Sequence, residues 1–159
     1  MPKEQLKKLE EWRSFVVVED FYNELQLGPG RLLLTYDLQL WLMEASYILL
    51  LKYKDSNSVS KRVSTEQLKA EVMNWLYFTA DFPDDELANP YIALDRCFIE
   101  YPTQAYRDNL HAWLHVALSN HTDFETLVPG EIINFWENMR RVCNAAWLIR
   151  QREDIHHAD

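Results

Sequence analysis

Apolar residues recur three or four positions apart along most of the chain, which is the spacing of an amphipathic α-helix. Phe15, Val18, Tyr22 and Leu25 form such a stripe near the start of the chain. The predicted helices cover about 3–26, 32–53, 64–80, 90–100, 103–120 and 129–150. The sequence therefore predicts an all-α fold, a single-domain helical bundle of five or six helices.

Polar and turn-forming residues mark where these helices begin and end. Ser64 with Gln67 three residues later is typical of a capping box, and Asn89 followed by Pro90 is typical of an N-cap with proline at the first helical position. Residues 81–85 are predicted to form a turn. No internal repeat or linker divides the chain, so we expect one domain over 1–152 and a frayed polar tail at 153–159.

The second predicted helix is apolar on two sides when it is projected at about 100° per residue. One flank comprises Leu34, Leu38, Ala45 and Leu49, and the opposite flank comprises Leu32, Tyr36, Met43, Tyr47 and Leu50. A helix with two apolar flanks is packed from both sides. We therefore expect this helix to be central in the bundle.

The same stretch, residues 32–51, is long enough to cross a bilayer. Asp37, Gln39 and Glu44 lie inside it, and a carboxylate at the centre of a membrane is costly. The prediction is therefore a buried helix of a soluble bundle, with no membrane association.

Composition and charge narrow the classes of function. Apolar residues make up 48% of the chain and aromatic residues 13%, which indicates a globular protein. The formal net charge of −9 disfavours binding to nucleic acid or to an anionic membrane surface, because like charges repel. Cys97 and Cys143 match neither a metal motif nor a disulfide framework, and the N-terminus lacks a secretory signal, so reduced thiols in the cytoplasm are expected.

The six tryptophans all fall within helical patterns, which predicts that most of them pack in the core. They are Trp12, Trp41, Trp75, Trp113, Trp136 and Trp147. One or two at the edge of a stripe can instead anchor a partner. On the last helix, Ile133, Trp136 and Trp147 widen the apolar surface, so this helix is expected to be central or part of an interface.

The candidate chemistry lies on the helix at 103–120, where Asp108, His111 and His115 recur at helical spacing. Two histidines four residues apart can ligate one divalent metal ion, and a carboxylate one turn earlier can be a third ligand. The same residues can alternatively support proton transfer, because histidine titrates near neutrality. Projection places them outside the apolar stripe of their helix, facing solvent, a groove or a partner.

Asp37 and Glu44 are the possible inward partners of that site. Both lie on one strip of the second helix, and helical bundles with dinuclear metal centres bring such carboxylates inward. The simpler interpretation is a partly exposed strip whose carboxylates pair with arginine.

Function is predicted mainly from what the sequence lacks. Without a nucleophile motif, a phosphate-binding glycine loop or a required cofactor, we expect an interaction or regulatory module that binds a protein partner or itself. The first alternative is a metal-dependent or acid–base enzyme that uses Asp108, His111 and His115. The second alternative is a small-molecule site between the helices.

Overall fold

A computed structural model describes residues 2–18, 29–56, 63–79, 82–118 and 128–156, and every regular element in these ranges is an α-helix. The helices are α1 (Pro2–Val18), α2 (Pro29–Asp55), α3 (Thr65–Thr79), α4 (Asp84–Ala88), α5 (Pro90–Glu100), α6 (Thr103–Leu118) and α7 (Pro129–His156). The predicted all-α helical bundle is confirmed.

The two predicted helix starts have the local chemistry that the sequence indicated. The Ser64 side chain accepts a hydrogen bond from the Gln67 backbone N–H at 3.2 Å, as the Ser half of a capping box does. The Asn89 side chain accepts from the Tyr91 backbone N–H at 3.2 Å, and Pro90 occupies the first position of α5. Prolines also begin α2 and α7, where the missing backbone N–H costs no intrahelical bond.

Three boundaries differ from the prediction. Helix α2 begins at Pro29 rather than at residue 32, and the predicted end of the first helix near residue 26 lies outside the described residues. Residues 84–88 form α4, which begins within the turn predicted at 81–85 and was not itself predicted. Three acidic residues lie in its first turn, where they interact favourably with the positive end of the helix dipole. Helix α7 continues to His156, so the first half of the predicted frayed tail is helical.

The last helix is central in the bundle. The sequence had predicted either this or a place in an interface, from the wide apolar surface of the helix. Helix α7 packs along α5 and α1 and also contacts α2 and α3. Its inward side chains are fully or almost fully buried: Ile132, Phe135, Trp136, Met139, Val142, Ala145, Leu148 and Ile149. At one end of this face, Trp113 lies edge-on between Trp12 and Phe135, with ring centroids 5.7 and 5.4 Å apart.

Helices α5 and α6 run antiparallel to α2, one after the other along its length. The rings of Tyr53 and Tyr91 stack at 4.1 Å, and those of Tyr47 and Phe98 meet at 5.1 Å, so α5 lies beside the C-terminal half of α2. Helix α6 also packs on α2, where Arg107 pairs with Glu44, nearer the N-terminus of α2 than the contacts of α5. Helix α6 therefore continues along the N-terminal half of α2.

Buried polar contacts fix α5, α6 and α7 relative to one another. The Tyr106 hydroxyl donates a hydrogen bond to the Asn138 side-chain oxygen. The Asn138 amide group donates to the Glu100 carboxylate at 3.1 Å and to the Cys97 carbonyl at 3.4 Å. Each of these partners comes from a different helix than Asn138, so one buried amide ties three helices together.

Two buried carboxylates anchor the short helix α4 and helix α3. Glu86, on α4, has a fully buried side chain that accepts hydrogen bonds from Arg96 at 2.7 Å and from Arg141 at 2.6 Å. Glu71, on α3, pairs with Arg152 at 2.6 Å in an almost fully buried contact. Because a buried carboxylate is costly unless it is paired, these contacts fix where α3 and α4 lie on α5 and α7.

None of the described helices has a stretch that is both long and apolar enough to cross a membrane. The charged and amide side chains inside the apolar stretch of α2 are the physical reason, as the sequence indicated.

Glu86→Gln tests the importance of the buried ion pairs. We expect the free energy of unfolding to fall by roughly 2–4 kcal/mol, because Arg141 keeps its charge but loses its carboxylate. The measurement is urea unfolding followed by circular dichroism.

Asp85→Asn is the matched control for this variant. Asp85 pairs with the same Arg96 at 2.7 Å but is exposed to solvent, so its loss is expected to change stability much less. Equal losses for the two variants would contradict the role assigned to Glu86.

Candidate interaction surface

The inward side of α2 is only partly the one that the sequence predicted. Leu32, Met43 and Leu50 are buried in the core, which confirms one of the two predicted flanks. Gln39 and Ser46 are buried beside them, and the Ser46 hydroxyl donates to the Leu42 carbonyl at 2.7 Å. The inner face of α2 is therefore a mixture of apolar and hydrogen-bonded polar side chains.

The second predicted flank is not packed, and the expectation that α2 is covered from both sides is wrong. Leu34 is 51% exposed, Ala45 is exposed, and Leu38 and Leu49 are half-buried. The reason is that α5, α6 and α7 all pack against the same side of α2. The opposite side of the helix faces solvent.

This outward side carries a concentration of large apolar side chains, which we call the α2 outer face. It comprises Leu33, Leu34, Trp41, Ile48 and Leu51. Trp41, at its middle, is 60% exposed and lies about 180° around the helix from Leu32 and Leu50 of the core. The five side chains extend over roughly 27 Å of helix.

Exposed apolar side chains elsewhere are distributed over other helices and their ends. They are Met73 on α3, Ile99 on α5, Leu118 on α6, and Val128 and Ile133 at the start of α7. Single exposed apolar residues are normal on a protein surface, but a contiguous patch of several hundred Å² marks an interaction site. Together the five side chains of the α2 outer face expose roughly 500 Å² of apolar surface, and Asp37 and Glu44 lie between them on the same side of the helix.

The two carboxylates of α2 lie on the same outward strip as Trp41 and Ile48 and do not point inward. Asp37 is exposed, and Glu44 is half-exposed and pairs with Arg107 at 2.8 Å. The prediction of Asp37 and Glu44 as inward partners of a site is therefore wrong, because the buried side of α2 lies away from both. The sequence analysis also gave a simpler interpretation, in which these carboxylates lie on a partly exposed strip and pair with arginine. Glu44 fits it, because it pairs with Arg107.

Asp108, His111 and His115 are all exposed on α6, as their projection indicated. Asp108 accepts a hydrogen bond from Gln104 at 2.8 Å within its own helix. Its separation from His115 corresponds to roughly 10 Å of helix rise, too far for one metal ion. Across the part of the chain that the structure describes, no three acidic, histidine or cysteine side chains are grouped to hold a metal.

The two histidines lie on the exposed side of α6, which packs on α2. Arg107 contacts Glu44, and α6 runs antiparallel to α2 from that point. His111, one turn beyond Arg107, is therefore level with about residue 40 of α2, and His115 is level with about residue 36. Use of these histidines in proton transfer stays an untested prediction.

A small cavity lies between α2, α6 and α7. Its volume is about 10 Å³, and it is lined by Gln39, Leu42, Met43, Tyr106, Met139, Val142 and Cys143. This is room for about one water molecule and not for an organic ligand. The cavity therefore gives no support to the small-molecule alternative.

Both cysteines are free thiols in helices that pack on the core. Burial raises the pKa of the Cys97 thiol to about 12 and that of the Cys143 thiol to about 12. The Cys143 thiol also contacts the Gln39 side-chain oxygen at 3.7 Å. Neither thiol is a nucleophile near neutral pH, because only the thiolate reacts.

The signal for the α2 outer face was present in the sequence but was ambiguous. Helix α2 is apolar almost all round, which is typical of a helix buried on every side. Nothing in one chain distinguishes burial within the fold from burial against a partner. The exposure of Trp41 could be found only after the neighbours of α2 were placed.

Thiol labelling tests the burial of the cysteines. At pH 8 and without denaturant, we expect Ellman's reagent to react with Cys97 and Cys143 very slowly. A pKa of about 12 leaves a thiolate fraction roughly a thousandfold below that of an unperturbed thiol. In urea both thiols should react at once.

A Met73→Cys variant is the positive control, because residue 73 is 84% exposed. Its added thiol should react promptly in the native protein. Equally prompt reaction of the native cysteines would contradict their protonated, buried state.

No protein family matches this chain, and comparison with curated proteins and with solved structures likewise finds no match. The function therefore has to be inferred from the surface and chemistry of the described residues.

Proposed function

We propose that the chain is a protein-interaction module and that the α2 outer face is its docking surface. The observation that carries this proposal is the 60% exposure of Trp41 at the centre of four large aliphatic side chains on one helix. Tryptophan is enriched among the residues that dominate binding energy, and such residues lie near the centre of an interface.

The polar side chains of the surface support a protein partner. Protein interfaces combine apolar and polar side chains, and here Asp37 and the Glu44–Arg107 pair lie one helical turn on either side of Trp41. Arginine is also enriched at interfaces, where its planar head can bind a carboxylate of the partner.

The charge of the chain argues against the other large ligands. Two carboxylates lie within the surface and the net charge is −9, so a nucleic-acid backbone or an anionic lipid surface would be repelled. Helices that lie on membranes carry lysine and arginine on their polar side, whereas the outward side of α2 carries Asp37 and Glu44 near its middle.

The cytoplasm is the compartment that suits this proposal. Both cysteines are free thiols, and free thiols persist in a reducing environment. A regulatory role is the form of interaction that we favour, because the described residues hold no group of three acidic, histidine or cysteine side chains that could bind a metal.

Site-specific photo-crosslinking in the cells that produce the chain tests the docking surface. A benzophenone amino acid is placed at Ile48 in the outer face or, as the matched control, at Met73, which is apolar and exposed on α3. We expect a covalent adduct of defined mass from position 48 and none from position 73, because only the first position lies in the docking surface.

A second arm shows whether the adduct depends on the surface. Adding Trp41→Glu to the Ile48 crosslinker should abolish the adduct, because it places a charge at the centre of an apolar contact. Adducts of equal yield from positions 48 and 73, or none from position 48, would overturn the proposed function.

A further inference from the structure

We infer that the partner on the α2 outer face is a second copy of this chain, bound with the two α2 helices antiparallel. The inference rests on the proposed function, since it names the occupant of the same surface. It is carried by the spacing, size and charge of the residues along the middle of that surface.

The middle of the surface has the spacing of a helix-pairing seam. Leu34, Leu38, Trp41, Ala45 and Ile48 follow one another at intervals of four, three, four and three residues. This alternation is the seven-residue repeat by which two helices pack side chains into each other's gaps. All five side chains are exposed or half-buried, so the seam is available to a partner.

Side-chain size favours one register. If the symmetry axis passes level with Met43, each Trp41 lies opposite the partner's Ala45 and each Leu38 opposite the partner's Ile48. A large side chain then meets a small one at the two layers beside the axis, which allows the backbones to approach closely. In a parallel pair the two tryptophans would instead lie opposite each other and the two alanines would leave a gap.

Charge at the ends of the seam favours the same orientation, and the Glu44 side chains near the axis each pair with Arg107 of their own chain. Asp37 lies towards the N-terminal end of the seam, and Lys52 lies at its C-terminal end. Antiparallel pairing brings the partner's Lys52 within about one helical turn of Asp37. Parallel pairing would place Asp37 against Asp37 and Lys52 against Lys52, which is repulsive.

A symmetric dimer of this kind has a small interface centred on the seam. Pairing along the seam covers the five seam residues on each copy, and Leu33 and Leu51, about 100° around the helix, contribute at its edge to the roughly 1,000 Å² that a specific interface needs. Leu118 on α6 is also exposed, and the antiparallel course of α6 places it level with about residue 33. It extends the apolar surface beyond α2 at that end.

The pairing would complete the burial that the sequence of α2 predicts. Its inner side packs on the chain's own α5, α6 and α7, and its outer side would pack on the partner's α2. An isologous contact of this kind closes on itself, so it gives a dimer and not a fibre.

Light scattering coupled to size exclusion tests the inference on the purified full chain. We expect a mass of about 38 kDa, twice 19.0 kDa, at micromolar concentration. Trp41→Glu and Ala45→Trp should each raise the dissociation constant roughly 30-fold or more, the first by charge and the second by overpacking. Met73→Glu should leave it unchanged, and circular dichroism checks that each variant keeps its helices.

Disulfide trapping tests the antiparallel orientation. Leu38→Cys and Ile48→Cys variants, mixed and oxidised, should form a 38–48 crosslink between copies, and neither variant alone should crosslink well. Efficient crosslinking of each variant with itself would overturn the antiparallel geometry.

Different experimental results would contradict the dimer and the docking surface. A purified chain that stays monomeric, or a dimer unaffected by Trp41→Glu and Ala45→Trp, overturns the self-association. If position 48 still gives a crosslinked adduct with a different protein in cells, the docking surface stands and only the occupant is wrong. If position 48 gives no adduct, both proposals fall.

Discussion

Burial of the apolar face of α7 holds the described helices together, because each of the other six contacts this helix. Helices α1, α2, α3 and α5 pack on it directly, α4 reaches it through Glu86 and Arg141, and α6 reaches it through Trp113 and Phe135. Hydrophobic burial of this kind has no direction, so it favours compactness without fixing how the helices are rotated. The rotation of α2 decides which of its apolar sides remains outside.

Directional polar contacts fix how the helices are rotated about their axes. Asn138 joins α5, α6 and α7 through one amide, and Gln39 gives the inner side of α2 a polar contact with Cys143 on α7. A buried amide without partners is costly, so each contact penalises other rotations of its helix. Gln39 therefore favours the orientation in which its own side of α2 faces α7 and Trp41 faces solvent.

Local signals in the sequence were sufficient for most of the fold and for little of the site. Asn89 and Ser64 allowed the starts of their helices to be predicted, because an N-cap depends only on residues within one helical turn. Helix α4 was missed because it depends on the distant Arg141, which pairs with Glu86 across 55 positions. For the same reason, helical spacing could place Asp108, His111 and His115 on one exposed side but could not show what lies opposite them.

The composition of α2 is best explained as a response to two environments. A helix that faced solvent on its outer side would be expected to carry polar residues there, since each exposed leucine or tryptophan forgoes roughly 1.5–3 kcal/mol of favourable burial. Helix α2 instead places Gln39 and Ser46 inside and Trp41 and Ile48 outside. Apolar residues on the outer side do not stabilise the fold, because α5, α6 and α7 already cover the inner side of α2. We propose that contact with a partner surface of matching chemistry explains these outward apolar residues.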